Sequence, residues 1–187
     1  MKTIKSSVAF NILVGLVILT CIFKFLMTNP NERNFTFLLD CFSASVTICS
    51  LVSVLFCSYL WKLKIFKSWF VQIPNLNGTW EGTLIPTWED SKPIGITLKI
   101  KQSLFKISCV MTTDESKSES ISCNYIIDED NQQNKLTYTY INIPKSVHRN
   151  RSAIHYGSVI LEIEKNTLRG SYWTDRKTIG DIELTRL

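Results

Sequence analysis

Two long apolar runs open the chain, and a period of two takes over after them. Val8 to Met27 has no strongly polar residue except Asn11 and Lys24, and at about 1.5 Å per residue it crosses a hydrocarbon core of about 30 Å. A short polar stretch, Thr28 to Asn34, follows. Phe35 to Trp61 is then apolar again, apart from Asp40 and scattered Ser and Thr. The pattern predicts two transmembrane helices, over about 8–27 and 35–61, joined as a hairpin. A cleaved signal peptide fits less well, because the first run is long, lacks a small-residue cleavage site and is followed by a second span.

Beyond Pro74 apolar and polar residues alternate in eight runs separated by polar clusters: Leu76–Ile85, Ile94–Gln102, Phe105–Thr112, Ser118–Ile127, Lys135–Ile143, Ala153–Glu164, Thr167–Thr174 and Thr178–Arg186. Helical periodicity is absent there. Eight short strands with one apolar face and no covering helix close best into a compact antiparallel β-barrel, which leaves no exposed edge. The domains are therefore 1–73, the hairpin with a basic and aromatic juxtamembrane collar, and 74–187, an all-β ligand-binding domain.

Alternation also assigns faces. Trp80, Gly82 and Leu84 share one side of the first strand, Ile96, Leu98 and Ile100 one side of the second, and Val159, Leu161 and Ile163 one side of the sixth. Toward one end of the barrel the inward series turns polar: Tyr138, Tyr140, His155, Tyr172, Thr174 and Thr178, with Arg176 in a turn and Arg151 ahead of the sixth strand. An eight-stranded barrel holds either packed side chains or one small ligand. Aromatic rings beside guanidinium groups and hydroxyls suit a planar anionic ligand, because bases stack on rings and guanidinium binds phosphate bidentately. The same tyrosines would also serve as a plug with their hydroxyls in water.

The formal net charge of +5 changes the picture once it is located. Residues 1–73 carry seven Lys or Arg and two acids, and the rest of the chain carries fourteen of each sign. Lys2 and Lys5 precede the first span and Lys62, Lys64 and Lys67 follow the second, so the positive-inside rule places both termini in the cytoplasm. The barrel domain is neutral and unsuited to a polymeric nucleic acid. Among the six cysteines only Cys109 and Cys123 lie in this domain, and in a reducing cytosol they imply no disulfide framework. Lys24 and Asp40 fall at similar depth near the outer ends of the two spans, where they either pair or reach separately to the headgroups. Ser43, Thr47, Ser50 and Cys57 form a small-residue stripe on the second span, a packing face for the first helix or for another protomer.

Nothing marks an enzyme. His148 and His155 are the only histidines, and no third residue stands at metal-ligand spacing. No nucleophile elbow or glycine-rich phosphate loop is present. The runs Asp175-Arg176-Lys177 and Asp128-Glu129-Asp130 read as solvated turns.

The start of the domain, Pro74-Asn75-Leu76-Asn77-Gly78-Thr79-Trp80-Glu81-Gly82, its end, Leu168-Arg169-Gly170-Ser171-Tyr172-Trp173-Thr174-Asp175-Arg176-Lys177-Thr178-Ile179-Gly180, and the two preceding spans together resemble the transmembrane β-barrel effectors of bacterial cyclic-oligonucleotide antiphage systems (CBASS), also described as SMODS-associated two-TM, β-strand-rich effectors. The Gly-x-Trp start is shared with lipocalin-like barrels, which leaves a membrane-anchored carrier or sensor of a small apolar molecule as the alternative. The resemblance implies a cyclic dinucleotide as activating ligand, with no other cofactor, made by a partner CD-NTase-type nucleotidyltransferase. It further implies homo-oligomerisation on binding, and disruption of the inner membrane that kills the infected cell. By position in the terminal motif it implies Tyr172, Arg176 and Thr178 as ligand contacts. Tyr138, Tyr140, His155 and Arg151 join them from alternation alone.

Overall fold

A computed structural model describes residues 3–87, 92–128 and 131–187. They form two units, a hairpin up to Ile73 and a barrel from Pro74 onward. Lys2, Glu129 and Asp130 lie outside the described residues.

The hairpin consists of α1 (Ser6–Met27) and α2 (Phe35–Ser58), each long and apolar enough to cross a membrane. The loop between them satisfies both helix ends. The Asn34 side chain accepts from the Phe37 amide at 3.2 Å, an N-cap for α2. Arg33 donates to the carbonyls of Phe25 and Thr28 at 2.8 and 3.0 Å, groups that the end of α1 leaves unpaired, and stacks on the Phe25 ring at 3.7 Å. Arg33 is thus the cation engaged at this turn. No ion pair joins Lys24 to Asp40 among the described residues.

The hairpin's internal contact also differs from the predicted stripe. Thr20 on α1 and Cys41 and Ser45 on α2 are the buried residues, with Cys21 Sγ and Ser45 Oγ 4.0 Å apart. The Thr20 and Ser45 hydroxyls return to carbonyls of their own helices, each at 2.7 Å, so neither is left unpaired in an apolar setting. Ser43, Thr47 and Ser50 lie on another side of α2 and are exposed. Helix α2 stops at Ser58, short of the expected Trp61, because the chain tightens into 3₁₀ turns at Leu60–Lys62 and Lys64–Phe66. Phe56, Phe66, Trp69 and Phe70 form an aromatic cluster at this exit.

The second unit is a closed up-and-down barrel of β1 (Gly78–Pro86), β2 (Ile94–Gln102), β3 (Ile107–Thr112), β4 (Ser116–Asp128), β5 (Gln133–Pro144), β6 (His155–Glu164), β7 (Thr167–Thr174) and β8 (Ile179–Arg186). Each strand pairs antiparallel with the next, and β1 pairs with β8 from Trp80↔Arg186 to Pro86↔Gly180. Trp80, Leu98, Leu136, Leu161, Leu168 and Leu184 point inward and are completely buried.

The N-terminal residues of the domain close one end. Leu76 was expected within the first strand, but Gly78 adopts φ 132°, a conformation that side chains rarely tolerate, and the chain before it swings across the barrel end. Leu76 is buried there, with its carbonyl accepting from Trp80 Nε1 at 3.0 Å and its amide donating to Gln102 Oε1 at 2.8 Å. Arg186 lies over the Trp80 ring at 5.5 Å and donates to the carbonyls of Asn75 and Asn77. The turn between β2 and β3 adds Leu104, inserted and 1% exposed, while its neighbour Phe105 faces out.

Tight strand approach accompanies closure. An ideal Cβ on Gly170 would stand 2.0 Å from the Ile160 carbonyl oxygen, whereas one on Gly95 would meet nothing within 4 Å. Gly170→Ala is therefore expected to destabilise the barrel by at least about 2 kcal/mol, and Gly95→Ala by less than about 0.5 kcal/mol. Urea unfolding followed by tryptophan fluorescence checks this. Equal midpoints for the two variants would contradict the close approach.

Candidate ligand-binding site

The end opposite the Trp80 plug is built by the C-terminal ends of β1, β3, β5 and β7, the N-terminal ends of β2, β4, β6 and β8, and their connections. On its β4–β7 wall the inward side chains change from aliphatic to polar. Tyr138 and Tyr140 follow Leu136 on β5, and Tyr172 and Thr174 follow Gly170 on β7. The three tyrosines are 3, 7 and 5% exposed, so their rings occupy the interior, and the Tyr138 hydroxyl is buried with them. Two glycines make room for them. An ideal Cβ on Gly157 would fall 2.4 Å from the Tyr140 ring, and one on Gly180 would fall 2.6 Å from the Tyr172 ring. Tyr138 and Tyr140 are neighbours, with centroids 6.1 Å apart.

The remaining predicted residues lie on the rim. Thr178 belongs to the β7–β8 turn, not to the strand, and its hydroxyl meets that of Thr174 at 2.6 Å. This pair and a Lys177 φ of 61° shape the turn that carries Arg176. Arg176 is exposed and donates to Ser152 Oγ at 3.1 Å, tying the turn to the β5–β6 connection. Arg151 is ion-paired with Glu115 at 2.5 Å and lies 3.2 Å from His148 Nδ1. That pair is more than half exposed on both sides, so it holds the loops together only weakly. His155 begins β6, with Nδ1 3.0 Å from the Ala153 carbonyl oxygen. The fold thus brings Tyr138, Tyr140 and Tyr172 together as an interior layer, sets Arg176 and Thr178 above it, and commits Arg151 to an acidic partner.

The inward residues of β4 escaped sequence reasoning. A bulge at Ile121, which is 64% exposed, shifts the register of β4 against β5, so that Ser118 and Ser120 point inward before it and Cys123 and Tyr125 after it. Simple alternation cannot find such a change of phase. The bulge brings Cys123 Sγ to 3.6 Å from Cys109 Sγ, deep in the barrel. Asn142, by contrast, was legible, since two further steps along β5 from Tyr138 reach it.

Burial raises the phenol pKa of Tyr138, Tyr125 and Tyr172, and pushes that of Tyr140 up to about 12. The contact with Cys123, reinforced by burial, raises the Cys109 thiol as well. The Tyr138 hydroxyl is buried without a hydrogen-bond partner. Two grooves mark the outer wall. One of about 340 Å³ runs along Ile121, Tyr156 and Trp173 beside the mouth and reaches Tyr140, Gly157 and Thr174, and one of about 550 Å³ is lined by Glu81, Thr97, Thr112 and Asp114 with no basic side chain. Neither combines rings with guanidinium groups as the mouth does.

A closed barrel with an aromatic, hydroxyl-bearing wall and an arginine at its mouth, carried behind two helices of membrane-spanning length, defines a small-ligand receptor. The chain belongs to the Cap15 cyclic dinucleotide receptor family, whose domain model matches residues 71–186. It is 32% identical over 149 residues to CD-NTase-associated protein 15 of Staphylococcus schleiferi, covering 80% of each chain. It is 24% identical over 156 residues to CD-NTase-associated protein 15 of Escherichia albertii, covering 77% of this chain and 79% of that one. The resemblance to CBASS effectors is borne out at the level of family, and a receptor domain of this kind is not a known enzyme family.

Because these phenols have raised pKa values in the folded state, the unfolded chain ionises first. Their contribution to stability is complete below pH about 10 and is lost as the pH rises toward about 12 and beyond. Phenolate absorbance is expected to rise for these tyrosines together with unfolding; ionisation of all four in a fully folded barrel would contradict their burial. Tyr138→Phe, which removes an unpaired hydroxyl without changing shape, is expected to leave stability unchanged or raise it by up to about 1 kcal/mol. A large drop in urea midpoint would show that the hydroxyl has a structural partner.

Proposed function

We propose that the chain is a membrane-anchored antiphage effector whose barrel mouth takes up a cyclic dinucleotide made by a partner CD-NTase-type nucleotidyltransferase. What supports this reading is that, in a chain of the Cap15 receptor family, a buried tyrosine layer and an exposed guanidinium on a short, braced turn belong to the same end of the barrel. Tyr140 and Tyr172 supply stacking surface for the bases. Arg176 exchanges its neutral partner Ser152 for a phosphate, a stronger charge-assisted contact. Thr174 and Thr178 hold the arginine's turn, and Arg151, His155 and Tyr138 complete the surroundings. The neutral barrel domain favours one small dianion over a polymeric nucleic acid.

The hairpin anchors the receptor in the bacterial inner membrane with both termini in the cytoplasm. Ligand binding favours an arrangement in which barrels associate. The exposed stripe of Ser43, Thr47 and Ser50 then meets its counterpart on neighbouring hairpins, Lys24 and Asp40 are drawn into the assembly, and many weak contacts with each other and with lipid disrupt the bilayer. Because α1 packs on a different face of α2, the stripe is free for such contacts.

Full-length protein in detergent is expected to bind one or more cyclic dinucleotides by calorimetry. Arg176→Ala is expected to weaken binding by about 2 kcal/mol, roughly 30-fold. In cells, ligand production together with the chain is expected to depolarise the membrane, and deletion of residues 1–60 to abolish depolarisation. Unchanged affinity in the arginine variant would refute its role at the mouth, and depolarisation without the hairpin would refute the membrane mechanism.

A further inference from the structure

We propose that Asn142 reads a base of the bound cyclic dinucleotide, its Oδ1 accepting a hydrogen bond from an N–H on the base edge. This deepens the reading of the barrel mouth as a cyclic dinucleotide site and rests on it.

Asn142 continues the inward series of β5 beyond Tyr138 and Tyr140, one step nearer the mouth, opposite Ser118 on β4 and His155 on β6. Its amide is pinned at one end only. Nδ2 donates to Ser116 Oγ at 3.3 Å, and Ser116 Oγ lies 3.2 Å from Thr113 Oγ1, so the anchor is itself held. Oδ1 is buried and has no partner. A buried acceptor left unpaired weakens a fold, and an apolar side chain of the same shape would serve the barrel as well or better. The position therefore acts for something other than stability. With Nδ2 spent on Ser116 Oγ, the atom left for a ligand is the acceptor Oδ1.

The chemistry of the free atom selects which part of the ligand comes here. A carbonyl oxygen repels a phosphate and accepts from the exocyclic amine or ring N–H of a base. With Arg176 taking phosphate and the Tyr140 ring beside Asn142 offering a stacking surface, the mouth separates a charge-binding side from a base-reading side.

The test is calorimetry of full-length protein in detergent against cyclic dinucleotides of every pairing of the RNA bases. The wild type is expected to discriminate among them. Asn142→Leu is expected to lose about tenfold in affinity for the preferred ligand while poor ligands change little, which flattens the selectivity. Its unliganded melting temperature is expected to equal or exceed that of the wild type. Wild-type affinities and ranking in the variant would overturn the inference and leave the ligand site standing, as would a wild type that binds every pairing equally. Uniform loss of binding with a lowered melting temperature would assign Asn142 a structural role and overturn the inference as well. Absence of binding to any member of the panel by the wild type would overturn the site itself.

Discussion

Pairing of β1 with β8 is the constraint on which the rest of the barrel depends. Without it the sheet would have two open edges and an interior reachable by water. With it, every strand has two neighbours and the inward faces become one enclosed surface. Closure at this radius demands small residues where strands and bulky rings come together, which is why Gly82, Gly157, Gly170 and Gly180 stand where a Cβ would collide with backbone or ring. The same glycines give the site its form, since Tyr140 and Tyr172 lie in the space that Gly157 and Gly180 leave.

The two barrel ends use opposite chemistry. At one, Leu76, Trp80 and Leu104 form an apolar plug, and Arg186 spends its donors on the carbonyls of the crossing segment. Its charge is committed to structure. At the other, Arg176 rests against a hydroxyl that a better acceptor can replace, above a layer of phenols whose burial keeps them neutral. Arg176 has a neutral hydroxyl as its partner, whereas Arg151 faces an exposed carboxylate. That difference separates Arg176 from Arg151, although both stood out in the sequence.

The hairpin follows a separate economy. The hydroxyls of Thr20, Ser45 and Thr47 return to carbonyls of their own helices, so these donors are paired within an apolar hairpin. The contact between α1 and α2 uses Cys21, Cys41 and Ser45, small side chains that let the helices approach. The Ser43, Thr47 and Ser50 side of α2 has no part in it.

Hydropathy and period alone determined the two long apolar helices, the eight strands and the inward tyrosines of β5 and β7, because apolar run length and strand alternation are local consequences of side-chain order. The located charge likewise separated a basic hairpin from a neutral barrel. Tertiary structure decided what depends on partners distant in sequence. Leu76 leaves the first strand to seal an end because Gly78 lets the chain turn. Ile121 shifts the phase of β4 and so brings Cys123 to Cys109. Arg151 finds Glu115, Arg176 finds Ser152, and Asn142 keeps one amide atom unpaired inside the wall. A period of two fixes which side a residue faces, but not which atom it meets there, because that follows from register and loop closure across the whole sheet.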